Sequence, residues 1–188
     1  MPYFFKAFPK VDYDVKKNGR LEEVTNIMLR FKMQDVLRSR LSTFHEHSVQ
    51  DGERPDVLAF RFYDDPSLDW IIMLSNLILD PHFDWPLDYA SFINFIKEKY
   101  GSVSTAQSTV HHYEWIYQGH QVLYDGTIVP EDIYIVDLTT YNTLAAADRR
   151  IVYDFDYELD LNDAKRSVKI IHRDYISPII EQYESIFN

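Results

Sequence analysis

Apolar positions along the chain recur at helical spacing in the first half and at strand spacing in much of the second. Leu58, Ala59, Phe62 and Tyr63 share one face of a helix that Pro55 can open, because proline fits a first turn. Asp64-Asp65-Pro66 ends that helix and starts another, with Asp65 as N-cap and Pro66 as first helical residue. The second helix, Ser67 to about Ile78, is apolar nearly all round through Leu68, Trp70, Ile71, Ile72, Met73, Leu74 and Leu77. A helix without a polar face is buried, so this one is expected at the centre of the fold. Asp80-Pro81 stops it, and Trp85-Pro86 forces an extended bend. Asp88 caps a third helix with Phe92, Ile93, Ile96 and Tyr100 inward, Lys97 and Lys99 in the last turn, and Gly101 beyond its end.

Ahead of this block, residues 1–20 are polar around Phe8-Pro9 and Tyr13 and read as an extended arm. Thr25 is expected to cap a short helix carrying Ile27, Met28 and Phe31. Leu41 to Ser48 alternates weakly as a strand, closed by the turn Gln50-Asp51-Gly52-Glu53. Behind the block, Ser102 to Ser108 reads as a Ser/Thr-rich loop and Val110 to Tyr117 as an aromatic strand. Gln121–Tyr124 and Thr127–Val129 flank Asp125-Gly126, a two-residue hairpin signal, and Ile133–Val136 is a further strand. From Tyr153 to Leu161 the alternation is strict. Tyr153, Phe155, Tyr157, Leu159 and Leu161 fall on one side, Asp154, Asp156, Glu158 and Asp160 on the other, as in a strand with one acidic face. Asn162 is expected to cap a turn running to Arg166, Val168–Ile171 to form a strand, and Tyr175–Phe187 a terminal helix with Pro178 in its first turn. The sum is an α+β fold in one structural unit: an arm over 1–20, a helical core over 21–101, and a β-rich region over 102–188 ending in a helix.

Composition narrows the function. Aromatics are 15% of the 188 residues (14 Tyr, 12 Phe, 3 Trp), a surplus in the residue types that anchor protein interfaces. A net charge of −11 opposes attraction to nucleic acid or anionic lipid. No Lys or Arg occurs between Lys99 and Arg149. The absence of Cys excludes disulfides, thiolate metal sites and thiol nucleophiles. The longest apolar run, Trp70 to Leu79, is well short of the ~20 residues that span a bilayer, so a soluble protein is expected.

Candidate chemistry is sparse. His45 and His47 point the same way on a strand, but no third ligand is fixed by spacing, and packing or solvent exposure is the expected role. His111 and His112 are expected on opposite strand faces. Asp80 and Asp84 flank a Pro-bearing turn and suit backbone capping. The row from Asp154 to Asp160 is too regular and too solvated to tune one carboxylate against another. No phosphate-cradling loop, nucleophile elbow or zinc-protease motif is present, so neither an enzyme nor a bound cofactor or metal is expected. Trp115, Tyr117 and Tyr124 are candidate partner contacts, Trp85 is equally a candidate partner contact or a core plug, and Trp70 is a core side chain. The arm, through Phe8 and Tyr13, and the segment from Tyr153 onward are expected to meet other subunits, because alone they leave one-sided apolar surfaces.

One block gives a resemblance. Arg54-Pro55, Leu58-Ala59, Tyr63, Pro66, Leu68, Trp70, Asn76, Asp80-Pro81 and Asp84-Trp85-Pro86, in that order and spacing, resemble the baseplate wedge subunit of T-even-type contractile-tail phages, the gene product fifty-three family. Tyr157-Glu158, Leu161-Asn162, Lys165-Arg166 and Lys169-Ile170-Ile171 are similar to that family's final segment. The resemblance implies a structural virion protein of the tail baseplate, assembled in the host cytoplasm. Such a subunit joins neighbouring wedge proteins and helps close the wedges around the hub, in a hetero-oligomer without nucleic acid or membrane. The same central block also resembles a lysin-motif (LysM) module, strand–helix–helix–strand, which implies a LysM-like centre and, as an alternative function, binding of peptidoglycan or other N-acetylglucosamine polymers.

Overall fold

The computed structural model describes residues 4–29 and 44–187. The fold is mixed, with short helices and small antiparallel sheets, and the chain divides into two compact units. Residues 1–86 and 165–188 form the first, and residues 87–164 are inserted as the second. The divisions thus fall at Pro86 and Ala164, not at the ends of the expected arm and helical core.

In the first unit, β1 (Lys10–Tyr13) and β2 (Glu22–Thr25) make an exposed antiparallel hairpin. This corrects two expectations. Thr25 ends a strand instead of capping a helix, and Ile27 and Met28 are exposed after it; Phe31, like the expected strand start at Leu41, lies outside the described residues. Residues 4–8 are not arm either: Phe8 is 4% exposed within the core, ringed by Phe4, Phe5 and Tyr183. β3 (Phe44–Ser48) is followed by α1 (Pro55–Tyr63), which Pro55 opens and Asp64 closes in a left-handed conformation with φ 60°. The Asp65 carboxylate accepts from the Ser67 N–H to start a single 3-10 turn, Pro66–Leu68, that leads into α2 (Asp69–Ser75).

α2 is shorter than its apolar run. It stops at Ser75 because Leu77 takes a positive φ of 59°, which leaves Leu77 exposed and returns Ile78 to the core. Its own face is central as expected: Trp70, Ile71 and Ile72 are buried with Leu58, Ala59, Val168, Ile170 and Tyr183. The second strand of this strand–helix–helix–strand order does not follow α2. β3 pairs with β9 (Ser167–Ile171), which the chain supplies only after the second unit, in the register Phe44↔Ile171 to Ser48↔Ser167. A 3-10 turn, Arg173–Tyr175, leads from β9 to the terminal helix, which packs Ile176, Ile179 and Tyr183 inward.

Asn76 ties α2 to the outer edge of β9. Its side-chain amide donates to the carbonyl of Lys169 at 2.9 Å and accepts from the Lys169 N–H at 2.8 Å, imitating a neighbouring strand. Asn76→Ala is expected to cost about 2 kcal/mol for the two lost bonds. Hydrogen exchange at the Lys169 amide should quicken by about tenfold; unchanged exchange would show that the amide is not held this way.

α3 (Pro81–Asp84) is a short helical turn of the first unit, and the second unit opens with its first long helix, α4 (Tyr89–Tyr100). The Asp88 carboxylate accepts from the N–H groups of Ala90 and Ser91, and Gly101 ends α4 at φ 82°, a conformation only glycine adopts cheaply. Phe92 and Ile96 pack on Ala106 of α5 (Val103–Ser108). The expected Ser/Thr loop is therefore this helix, capped by the Ser102 hydroxyl. β4 (Val110–Gln118) is the centre of a three-stranded antiparallel sheet between β7 (Asp132–Val136) and β8 (Arg149–Tyr153). The Asp125-Gly126 hairpin forms, but β5 (Gln121–Val122) and β6 (Ile128–Val129) pair beyond a longer loop that the Leu123 N–H closes on the Thr127 carbonyl. α6 (Leu138–Thr143), capped by Asp137, lies between β7 and β8 in the chain.

The largest correction is α7 (Asp154–Ala164), a helix where strict alternation predicts a strand. Asp and Glu are poor strand residues, and the segment's ring-bearing positions also satisfy a helical repeat. Phe155 and Leu159 pack on the Phe92 cluster, while Asp154, Glu158 and Asn162 form a buried polar stripe at intervals of one turn. Asn162 is no cap. Its side chain accepts from the Leu87 N–H and donates to the Leu87 carbonyl, closing the second unit where the chain enters it.

Candidate interaction surfaces and buried charge

The residues of the central motif are structural. Arg54 precedes α1 in an extended conformation and pairs with Asp56. Pro55 and Pro66 occupy first turns, Tyr63 and Trp70 are buried, and the Asp80 carboxylate accepts from the His82 N–H while Pro81 opens α3. Asp84 turns back to accept from the N–H groups of Leu79 and Asp80. These bonds hold its carboxyl below the usual range, as a capping role requires.

Glu53 gathers several partners in the first unit. Its carboxylate meets His47 Nε2 at 2.9 Å, the Gln50 N–H at 3.0 Å and the Arg61 guanidinium at 2.6 Å. Its backbone carbonyl accepts from the Trp85 indole at 2.8 Å. Burial pushes the carboxyl up, but the bonds from Gln50 and His47 and the charge of Arg61 outweigh it, so it titrates below its ordinary value. Of the two roles open to Trp85, partner contact and core plug, it takes the second, and Phe8, expected as a partner contact, is a core side chain too. His45 and His47 both lie against Phe62, and burial first, then the neighbouring histidines, lower the titration of His45. Among the described residues no cluster of His, Cys, Asp or Glu is placed to hold a metal ion.

In the second unit Glu158 is buried, not part of a solvated acidic face. It accepts from the Lys99 ammonium at 2.6 Å and the Tyr100 hydroxyl at 2.9 Å. Tyr157 is half-buried with its ring stacked on His111, centroids 3.8 Å apart. The two histidines are not on opposite faces. A register shift between Val110 and His112 turns the rings together, Nδ1 to Nδ1 at 2.7 Å, and His112 Nε2 reaches Glu114 at 3.1 Å. Lys165 and Arg166 are also engaged within the fold, donating to the carbonyls of Phe83 and Val49.

What remains open is aromatic. Tyr13 is exposed on β1. On the central sheet Trp115 stands opposite Tyr134 of β7, and Trp115, Tyr117 and Tyr134 form one ring cluster with centroids 5.4 to 6.0 Å apart. Tyr117 is 63%, Tyr134 50%, Ile135 73% and Tyr124 103% exposed. Of the three aromatics expected here, Tyr117 and Tyr124 are exposed and Trp115 is part-buried. Tyr134 and Ile135 were missed, although the run Ile133-Tyr134-Ile135-Val136, apolar toward both faces and without Lys or Pro, is the signal for them.

Among the described residues the exposed features are aromatic surfaces. The family model for base plate wedge protein 53 matches residues 3–186. The baseplate wedge protein gp53 of Enterobacteria phage T4 is 26% identical over 113 residues, a stretch that is 57% of this chain and 56% of that protein. The alignment thus spans little more than half the length of that relative. The family match runs through both compact units and takes in the capping, core and strand-closing residues described above, and on that basis the chain belongs to the base plate wedge protein 53 family.

Proposed function

We propose that the chain is a structural subunit of a contractile-tail phage baseplate, which joins neighbouring wedge proteins and helps to close the wedges around the hub. The family match over residues 3–186 carries this reading. The internal use of Glu53, Glu158, Lys165 and Arg166 supports it further, since these groups build the fold and leave aromatic surface as the reactive feature. Partner contact is assigned to Tyr13, Tyr117 and Tyr124, with Trp115 and Tyr157 at the margins. Phe8 and Trp85 serve the core instead. The partners are other baseplate proteins in a hetero-oligomer, and the net charge of −11 disfavours nucleic acid as one of them. The site of action is the virion tail, reached by assembly in the host cytoplasm.

The test is co-purification: the full chain should appear in isolated tails at a fixed ratio to other wedge proteins. A Tyr117→Ser, Tyr124→Ser double variant should enter tails about tenfold less well, the effect of roughly 1.4 kcal/mol lost at exposed aromatic anchors, with its circular dichroism unchanged. Undiminished incorporation would remove these residues from the interface. The lysin-motif reading is tested by sedimentation with purified peptidoglycan. Both indoles of that block are buried, Trp70 against Phe4 and Tyr183 and Trp85 with its N–H donated to the Glu53 carbonyl, so no saturable binding is expected.

A further inference from the structure

We propose that the outer edge of β7 is a docking strand that receives a basic, extended segment of a neighbouring protein by backbone pairing. β7 ends the order β7-β4-β8, so one row of its N–H and C=O groups faces away from β4. Folded proteins blunt such edges with Lys, Pro or a bulge in the edge strand. Neither Lys nor Pro occurs in Asp132–Val136, and the register shift in its pairing places the extra residue on β4 opposite the Asp132 end, while Tyr134 on one face and Ile135 on the other are both at least half exposed. The opposite edge, β8, is treated differently. It carries Arg149 over the Tyr141 ring and Arg150 paired to Glu114, and Val152 is buried. One edge of a single sheet is thus protected and the other left apolar.

Charge selects the occupant. Asp132 opens β7 and Asp137 follows its last residue, and Glu131 just ahead of the strand is met by Arg150 at 3.3 Å. Asp137 stays ionised, because the Thr140 and Thr139 groups donating to it hold its titration below the ordinary range. No Lys or Arg lies between Lys99 and Arg149 to offset these carboxylates from within the segment. A strand that pairs here must place apolar side chains beside Tyr134 and Ile135 and cationic ones beside Asp132 and Asp137. A basic, alternating segment meets both demands.

The inference deepens the assembly reading but is tested on the chain by itself. The probe is a short, capped peptide of alternating lysine and valine, and the readout is hydrogen exchange at the β7 amides of the full chain. Peptide should slow that exchange by about tenfold or more at saturation. A peptide of the same charge with alternate backbone nitrogens methylated should bind about thirtyfold more weakly, the equivalent of two ordinary backbone hydrogen bonds. Ile135→Lys, at an exposed position, should abolish binding while leaving the circular dichroism unchanged. The proposal is overturned if the methylated peptide binds equally, if β7 stays unprotected, or if it is protected without peptide as protein concentration rises, which would make a second copy the occupant. Failure here with the chain present in isolated tails removes the edge and leaves the assembly reading intact. Binding here with the chain missing from tails does the reverse.

Discussion

Trp70→Ala is expected to lower the stability of the first unit by about 4 kcal/mol, the usual cost of truncating a fully packed indole. The indole is 3% exposed, 4.9 Å from the Tyr183 ring and 5.6 Å from Phe4. Those rings come from the two chain ends of the unit and cannot collapse into the space without moving the terminal helix and residues 4–8 together. Urea denaturation followed by near-ultraviolet circular dichroism measures the loss. Hydrogen exchange at the β4 amides, which belong to the second unit, supplies an internal control. A loss below about 1 kcal/mol would contradict a central Trp70.

Glu53→Ala is expected to cost about 3 kcal/mol, because it removes a buried carboxylate from the Arg61 guanidinium, the His47 ring and one backbone donor. Half of the Arg61 side chain already meets water, which keeps the figure at the low end for a broken buried pair. The effect depends on pH with a definite sign. The folded carboxyl titrates below its unfolded value, so its contribution is complete above the ordinary glutamate range near ~4.3 and disappears as pH falls through the folded value. Compared with Glu53→Gln, the natural chain should therefore be clearly more stable at neutral pH and lose that advantage in acid. An advantage that persists in strong acid would mean that the ionised form is not the one being held.

Elements bounded by capping chemistry were readable residue by residue. Asp65, Asp80 and Asp88 each accept from the N–H two residues on, and Pro55 and Gly101 sit at the termini their backbone preferences demand. Burial of Trp70, Ile71 and Ile72 followed from an apolar run with no polar face. The segment from Asp154 to Ala164 misled because alternation records where apolar residues stand, not what backbone the acidic ones between them tolerate. Nothing local announced that β3 would wait for β9, or that Asn76 and Asn162 would spend their amides on backbone so distant in sequence. Of the surface, the aromatics of β4 were readable because their segment lacks cations, whereas Phe8 and Trp85 looked like surface residues only because their neighbours in sequence are polar or extended. Glu53 carried no signal, since its partners come from a strand, a helix and a turn that meet only in three dimensions.

The insertion of one unit within the other sets a timetable for synthesis. Val49 must wait for Arg166, 117 residues downstream, before the first sheet can zip from its open end. At roughly 5–20 residues per second, the ribosome leaves Leu58, Ile71 and Ile72 uncovered for on the order of 10 s, while the inserted unit emerges with its own sequence complete and can fold at once. The nascent polypeptide therefore matures from the inside outward. Chaperone demand and proteolytic nicking during production fall on its amino-terminal portion, and a stop codon placed just before residue 165 releases a product with one finished half and one that cannot close.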